Sequence, residues 1–129
     1  MTLSDTSTRR ILIAEDDPDL ARMLKMLLKV HGDVRTADDG MDAYTQMRGG
    51  FLPDLLITDV MMPRMDGLAL VRRMKQDEVL GRIPVLMLTA KHSPRDVVDG
   101  INAGAKHYLT KPFKQKDLLD KIHHILGIS

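Results

Sequence analysis

The stretch Asp54-Leu55-Leu56-Ile57-Thr58-Asp59-Val60-Met61-Met62-Pro63-Arg64-Met65-Asp66-Gly67 constrains this chain more than any other. Leu55, Leu56 and Ile57 have the character of a strand buried on both faces. That run ends on a carboxylate, Asp59, at the point where the strand leaves its sheet. Met62-Pro63 and Asp66-Gly67 are turn signals, so a loop and not a hairpin follows. In open α/β sheets, ligands bind at the carboxyl ends of strands. An acid at such a lip is a site residue or a helix cap, and its neighbours in space decide which.

The rest of the chain repeats the pattern. Ile11-Leu12-Ile13-Ala14 is a buried strand closed by Glu15-Asp16-Asp17, and Pro18 opens a helix with Asp17 as its cap. Leu20, Met23, Leu24, Leu27 and Leu28 hold one face of that helix, which His31-Gly32 ends. Val34 to Ala37 form a shorter strand. Asp38-Asp39-Gly40 turns into a helix with Met41, Ala43, Tyr44 and Met47. Leu68, Leu70, Val71 and Met74 define a third helix, and Ile83 to Thr89 a buried strand ending on a hydroxyl. Ser93-Pro94 starts a fourth helix through Val97, Val98 and Ile101. Lys106 to Thr110 is a brief strand entering Lys111-Pro112, with a cis bond expected there. Phe113, Leu118, Leu119, Ile122, Ile125 and Leu126 mark the last helix. Five strands alternating with five helices predict an α/β fold with a doubly wound parallel sheet. At 129 residues this is one domain, residues 9–127, behind a flexible tail over residues 1–8.

Composition narrows the chemistry. Hydrophobic residues at 43% with 29% charged exclude a disordered chain, and the absence of cysteine removes disulfides and thiol catalysis. A net charge of +1 demands no polyelectrolyte partner, and no apolar run is long enough to span a membrane. The expected place is the cytoplasm, with neither membrane nor direct nucleic acid among the partners. Asp17, Asp19 and Asp66 read as turn and cap residues. His31 reads as a helix-end cap, and the adjacent His123 and His124 face different ways, so they cannot share a zinc without further ligands. The ten methionines read mostly as core filler.

Collected along one sheet edge, the strand ends bring together Glu15, Asp16, Asp59, Thr89 and Lys111. Clustered acids repel, and a hard divalent cation such as Mg²⁺ relieves them; Glu15, Asp16 and Asp59 suit it. Carboxylates can accept a phosphoryl group as an aspartyl-phosphate, and a lysine ammonium and a hydroxyl can hold its oxygens. Lys111 and Thr89 are those chemical types.

Glu15-Asp16-Asp17, Asp59-x-x-Met62-Pro63-x-x-Asp66-Gly67, Leu88-Thr89-Ala90 and Lys111-Pro112-Phe113, in that order, resemble a response-regulator receiver domain of two-component phosphorelay signalling, similar to the chemotaxis receiver, over nearly the whole chain. The resemblance implies a flavodoxin-like sheet of strand order 2-1-3-4-5. It implies Asp59 as phosphoacceptor, Glu15 and Asp16 as metal acids, and Met61 giving Mg²⁺ its backbone carbonyl. Thr89 and Lys111 would contact the phosphoryl group, with Thr89 and the aromatic Tyr108 forming the switch. The chain would be a Mg²⁺-dependent phosphoacceptor served by a sensor histidine kinase or phosphotransfer protein. It would catalyse its own phosphorylation and dephosphorylation without being a metabolic enzyme. A downstream protein would read the surface of the fourth helix, last strand and last helix.

Two rivals stand beside this. A dehalogenase-type phosphatase would need a second acid at position 61, which is Met. A phosphorylation-independent receiver would serve only as a docking module, against which the complete acid, Thr and Lys set argues. The sequence departs from many receivers at Lys106-His107, where an acidic pair is common. The chain ends at Ser129, which leads to the expectation of a stand-alone receiver or a piece of a longer chain. Two residues past the acceptor and past the hydroxyl stand Met61 and Lys91. Neither positions an attacking water well, so slow self-dephosphorylation is expected.

Overall fold

A computed structural model describes residues 9–90 and 94–128. The proposed tail over residues 1–8, Lys91 and Ser93 lie outside the described residues. The chain alternates β1 (Arg10–Ala14), α1 (Pro18–Leu28), β2 (Asp33–Ala37), α2 (Gly40–Arg48), β3 (Leu55–Asp59), α3 (Gly67–Lys75), β4 (Val85–Ala90), α4 (Pro94–Ala103), β5 (His107–Lys111) and α5 (Gln115–Leu126). Short 3-10 turns at Lys29–His31 and Leu80–Arg82 follow α1 and α3. All five strands are parallel and lie in the order β2-β1-β3-β4-β5, the doubly wound sheet expected from the sequence.

Residue parity within each strand sorts the core into two layers. Leu12, Ala14, Leu56, Val85 and Met87 face α2 and α3 through Met47, Leu70 and Met74. Ile11, Ile13, Leu55, Ile57, Leu86 and Leu88 face α1 and α5 through Leu24, Leu28, Leu118 and Ile122. The central strands β1, β3 and β4 are covered on both sides, so nearly every position is apolar and their runs do not alternate.

The acids before the helices act as caps. Asp17 accepts from the Asp19 amide, Asp39 from that of Asp42 and Asp66 from that of Ala69, each satisfying a first-turn N–H without an intrahelical partner. The cap roles expected for Asp17 and Asp66 hold. His31 instead closes the 3-10 turn after α1 and meets another ring, as described below.

Two packing expectations need correction. Met47, Met74 and Met87 are core residues, but Met23, Met26, Met41 and Met61 are exposed, so methionine is core filler only in part. On α4, Val98 and Ile101 are exposed as well. A helix packed on a sheet buries one narrow stripe, and apolar residues at i and i+3 of a short segment do not establish which stripe faces inward. Met74→Ala should therefore cost about 2–5 kcal/mol in urea unfolding, whereas Met26→Ala, at a side chain 62% exposed, should stay within about 0.5 kcal/mol. Equal costs would contradict this division.

Candidate functional site

The register of the parallel sheet carries three of the predicted residues to one edge. Asp59 ends β3 opposite Leu88 of β4, Thr89 follows Leu88, and Lys111 ends β5 opposite Ala90. Glu15 follows β1, its amide bound to the Ala37 carbonyl at 3.0 Å, so β2 holds the first acid in place.

Lys111 is the centre of the arrangement. Its Nζ donates to Asp59 Oδ2 at 2.9 Å and to Glu15 Oε1 at 3.2 Å, joining residues 52 and 96 positions away. Asp59 Oδ1 accepts from the Val60 amide at 2.9 Å, while Glu15 Oε2 accepts from that of Asp17 at 3.1 Å. Carboxylate oxygens of Glu15, Asp16 and Asp59 lie within 4.8 Å of one another, with Asp16 exposed. Hard oxygen donors this close, with one ammonium against three acids, fit a divalent cation such as Mg²⁺.

Charge and burial pull against each other here. Glu15 is 2% exposed, and burial raises its carboxyl to about 7. The nearby Asp59 charge adds to that rise, and the Asp17 amide and the Lys111 ammonium oppose it. For Lys111, burial lowers the ammonium, but the hydrogen bond to and charge of Asp59, with Glu15 behind, outweigh it and hold the group above its ordinary value. Thr89 is 1% exposed, and its Oγ1 finds no hydrogen-bond partner among the described residues. A buried hydroxyl without a partner costs free energy and accepts or donates readily when a polar group arrives.

The loop from β3 to α3 is tied down at several points. Gly67 presses so closely on the Asp59 carbonyl that no Cβ fits there, and its amide donates to the Val60 carbonyl at 2.8 Å. Arg64 adopts φ 62°, uncommon for a side-chain-bearing residue, and its Nε donates to Asp39 Oδ2 at 2.6 Å. The same Asp39 caps α2, and the Gly40 amide donates to the Met65 carbonyl at 2.9 Å. This guanidinium holds the Asp39 carboxyl below the usual carboxylate range. Inside β3, the buried Thr58 Oγ1 donates to the Asp59 carbonyl at 2.9 Å. Asp39, Arg64 and Thr58 were not foreseen from the sequence. A threonine in an otherwise apolar strand, one place before the acid, was a readable signal for Thr58; an ion pair spanning 25 positions leaves none.

Of the remaining predicted residues, Met61 is exposed in this loop. Tyr108 lies on β5 opposite Met87, with its OH donating to the Ala105 carbonyl at 2.8 Å and its ring against Gly100 of α4. The Lys111–Pro112 bond is cis, as the sequence predicts. No described helix is long and apolar enough to cross a membrane.

Comparison with known proteins gives this geometry a context. Residues 11–123 match the family described as "Response regulator receiver domain". The chain is 41% identical over 119 residues to the DNA-binding response regulator MtrA of Mycolicibacterium smegmatis, covering 92% of this chain and 50% of that protein. The chain thus spans about half the length of the curated relatives it matches. A crystal structure of a putative response regulator from Chloroflexus aurantiacus superposes with TM-score 0.86 at 37% identity, over 93% of this chain and 98% of that one. The receiver domain of a Pseudomonas aeruginosa sensor histidine kinase, solved with a magnesium ion coordinated in its active site cleft, matches with TM-score 0.81 at 25% identity, over 93% and 98%.

These relatives overturn the exclusion of nucleic acid from the partners, because MtrA is by name DNA-binding. The net charge of +1 behind that exclusion describes only these 129 residues, about half of such a relative.

The Glu15 carboxyl has a testable signature. Its value in the folded protein lies above its unfolded value, so the protonated form is favoured by folding. The stabilisation is complete below about pH 4.5 and is lost as pH rises through about 7. Relative to wild type without divalent metal, Glu15→Gln should gain on the order of 2–3 kcal/mol of stability between pH 5 and pH 8. Parallel urea-unfolding curves at the two pH values would contradict this.

Proposed function

The chain belongs to the response regulator receiver family, whose members are signalling proteins of two-component systems, and from that premise we propose that it takes a phosphoryl group onto Asp59. The observation that carries the reading is the pairing of Lys111 with Asp59 and Glu15, beside a Thr89 hydroxyl on the next strand that has no partner among the described residues. The donor would be a phosphohistidine on a sensor kinase or phosphotransfer protein. An Asp59 carboxylate oxygen attacks phosphorus, the P–N bond breaks, and the imidazole nitrogen leaves with the electron pair.

Each residue has a task in that exchange. Lys111 keeps its charge and, once Asp59 carries the phosphoryl group as an acyl phosphate, can turn its donors to a phosphoryl oxygen. The Thr89 hydroxyl can donate to a second. Val60, whose amide already holds Oδ1, fixes the attacking carboxylate's orientation. Glu15, Asp16, Asp59 and the Met61 carbonyl would hold Mg²⁺. Bound there, the cation would neutralise charge building on the phosphoryl oxygens. The chain thereby promotes its own phosphorylation while remaining a signalling switch, acting in the cytoplasm. A docking role independent of phosphorylation is not favoured, because it leaves the buried Thr89 hydroxyl and the acid cluster without a task.

The signal would leave through Thr89 and Tyr108. Drawing the Thr89 hydroxyl toward a phosphoryl oxygen changes the space beside Tyr108, whose hold on Ala105 then competes with an inward position. In a protein of the relatives' length, a DNA-binding output could read that change. Met61 and Lys91 offer an attacking water little help, so the phosphorylated state would be long-lived.

The test is incubation with a small phosphodonor and Mg²⁺. Acid-labile phosphate should appear on Asp59, be absent from Asp59→Asn, and fail to form once Mg²⁺ is chelated. Tyr108 ring resonances should shift in wild type and stay put in Thr89→Ala. After donor removal, Met61→Asn combined with Lys91→Glu should speed loss of the label. Full labelling of Asp59→Asn, or of chelated protein, would refute the reading; an unchanged decay rate would remove only the two lifetime positions.

A further inference from the structure

Two histidines meet at the opposite edge of the sheet, and nothing in the phosphoryl site accounts for them. His31 closes the 3-10 turn after α1, just before β2 begins, and His123 lies in the last turn of α5. Both helices cover the same sheet face through Leu24, Leu28, Leu118 and Ile122. Because α1 and α5 run antiparallel to the strands, their C-terminal ends converge where the strands start. The acids lie where the strands end, roughly 15 Å away along a five-residue strand.

We infer that His31 and His123 form a binding site for a borderline divalent transition-metal ion such as Zn²⁺. Their Nε2 atoms are 3.4 Å apart, their ring centroids 5.1 Å apart and their planes at 80°. Two imidazole nitrogens, each about 2.0–2.1 Å from a tetrahedral zinc, would stand about 3.3–3.4 Å apart with centroids about 5.2 Å apart. Rings pointing straight at each other, as in a linear N–H···N bond, would put the centroids about 5.7 Å apart at the same nitrogen spacing. The observed 5.1 Å is shorter than that, so the rings are not collinear, and both spacings match those of two imidazoles on one tetrahedral ion. Imidazole suits Zn²⁺, Cu²⁺ and Ni²⁺, whereas Mg²⁺ prefers the oxygens of the acid cluster.

The surroundings support a cation here. Burial, followed by the neighbouring His123 and Arg9, holds the His31 imidazole below its ordinary value, leaving it neutral with a lone pair to give. Arg9 also repels a metal, but His123 stands in the last turn of α5, where the helix dipole is negative and favours a cation. Both rings are only partly buried, so water can complete the coordination. His124 turns the other way, toward His107 with centroids 6.5 Å apart, and is not a ligand. A metal at the pair would tie the α1–β2 junction to the end of α5.

The experiment uses the full chain, free of any tag and stripped of metal, with excess Mg²⁺ present so that the acid cluster is occupied. Zn²⁺ is titrated while imidazole ¹⁵N resonances and binding heat are followed. One equivalent of Zn²⁺ should shift the Nε2 signals of His31 and His123 together. His31→Gln and His123→Gln should each weaken that binding roughly tenfold or more, and His124→Gln should not. The inference fails if zinc moves one ring alone or neither in wild type. It fails equally if both glutamine variants bind zinc as wild type does. Neither outcome bears on phosphorylation of Asp59.

Discussion

An ammonium between two carboxylates organises this molecule. Lys111 Nζ lies 2.9 Å from Asp59 Oδ2 and 3.2 Å from Glu15 Oε1, and those contacts require three separate strand ends to finish at the same level. The level is set by the register of β1 against β3, β3 against β4 and β4 against β5, so a slip at any pair would separate the charges. The apolar layers on both faces hold that register. Packing and site chemistry are therefore one constraint. The core defines where the carboxylates stand, and burial makes the Glu15 charge costly, which the Lys111 ammonium offsets.

The fold and much of the site could be read from residues 11–111 because both depend on local patterns. Three apolar runs ending on Glu15, Asp59 and Thr89, and a brief strand entering Lys111, need only a parallel sheet to bring these four residues together, and βα alternation supplies one. Asp17 and Asp66 were legible as caps for the same reason, since a cap is a matter of three or four adjacent residues. What escaped is non-local or depends on rotation about a helix axis. Arg64 reaching Asp39, and His31 reaching His123, join positions 25 and 92 apart with no sequence pattern between them. Met23, Val98 and Ile101 look like core residues until the helix is placed on the sheet. The partner question failed differently: the charge of this segment says nothing about the other half of proteins such as MtrA.

The β3–α3 loop shows how a flexible-looking segment is made to hold a position. Gly67 leaves room for the Asp59 carbonyl, Asp66 caps α3, and Arg64 accepts a left-handed conformation to reach Asp39. Asp39 in turn caps α2, so two helix N-termini and the loop between β3 and α3 share one network. That network fixes the path of the chain on leaving Asp59, including Met61. Pre-organisation of this kind lowers what must be ordered when a charged group binds.

The most direct test of the account is a crystal structure of the chain with Mg²⁺ and beryllium fluoride, a tetrahedral mimic of the phosphoryl group. Beryllium should be bonded to a carboxylate oxygen of Asp59, with Lys111 Nζ and Thr89 Oγ1 each within hydrogen-bond distance of a fluorine. Beryllium fluoride bound elsewhere, or bound on Asp59 with the Thr89 hydroxyl still without a partner, would contradict it.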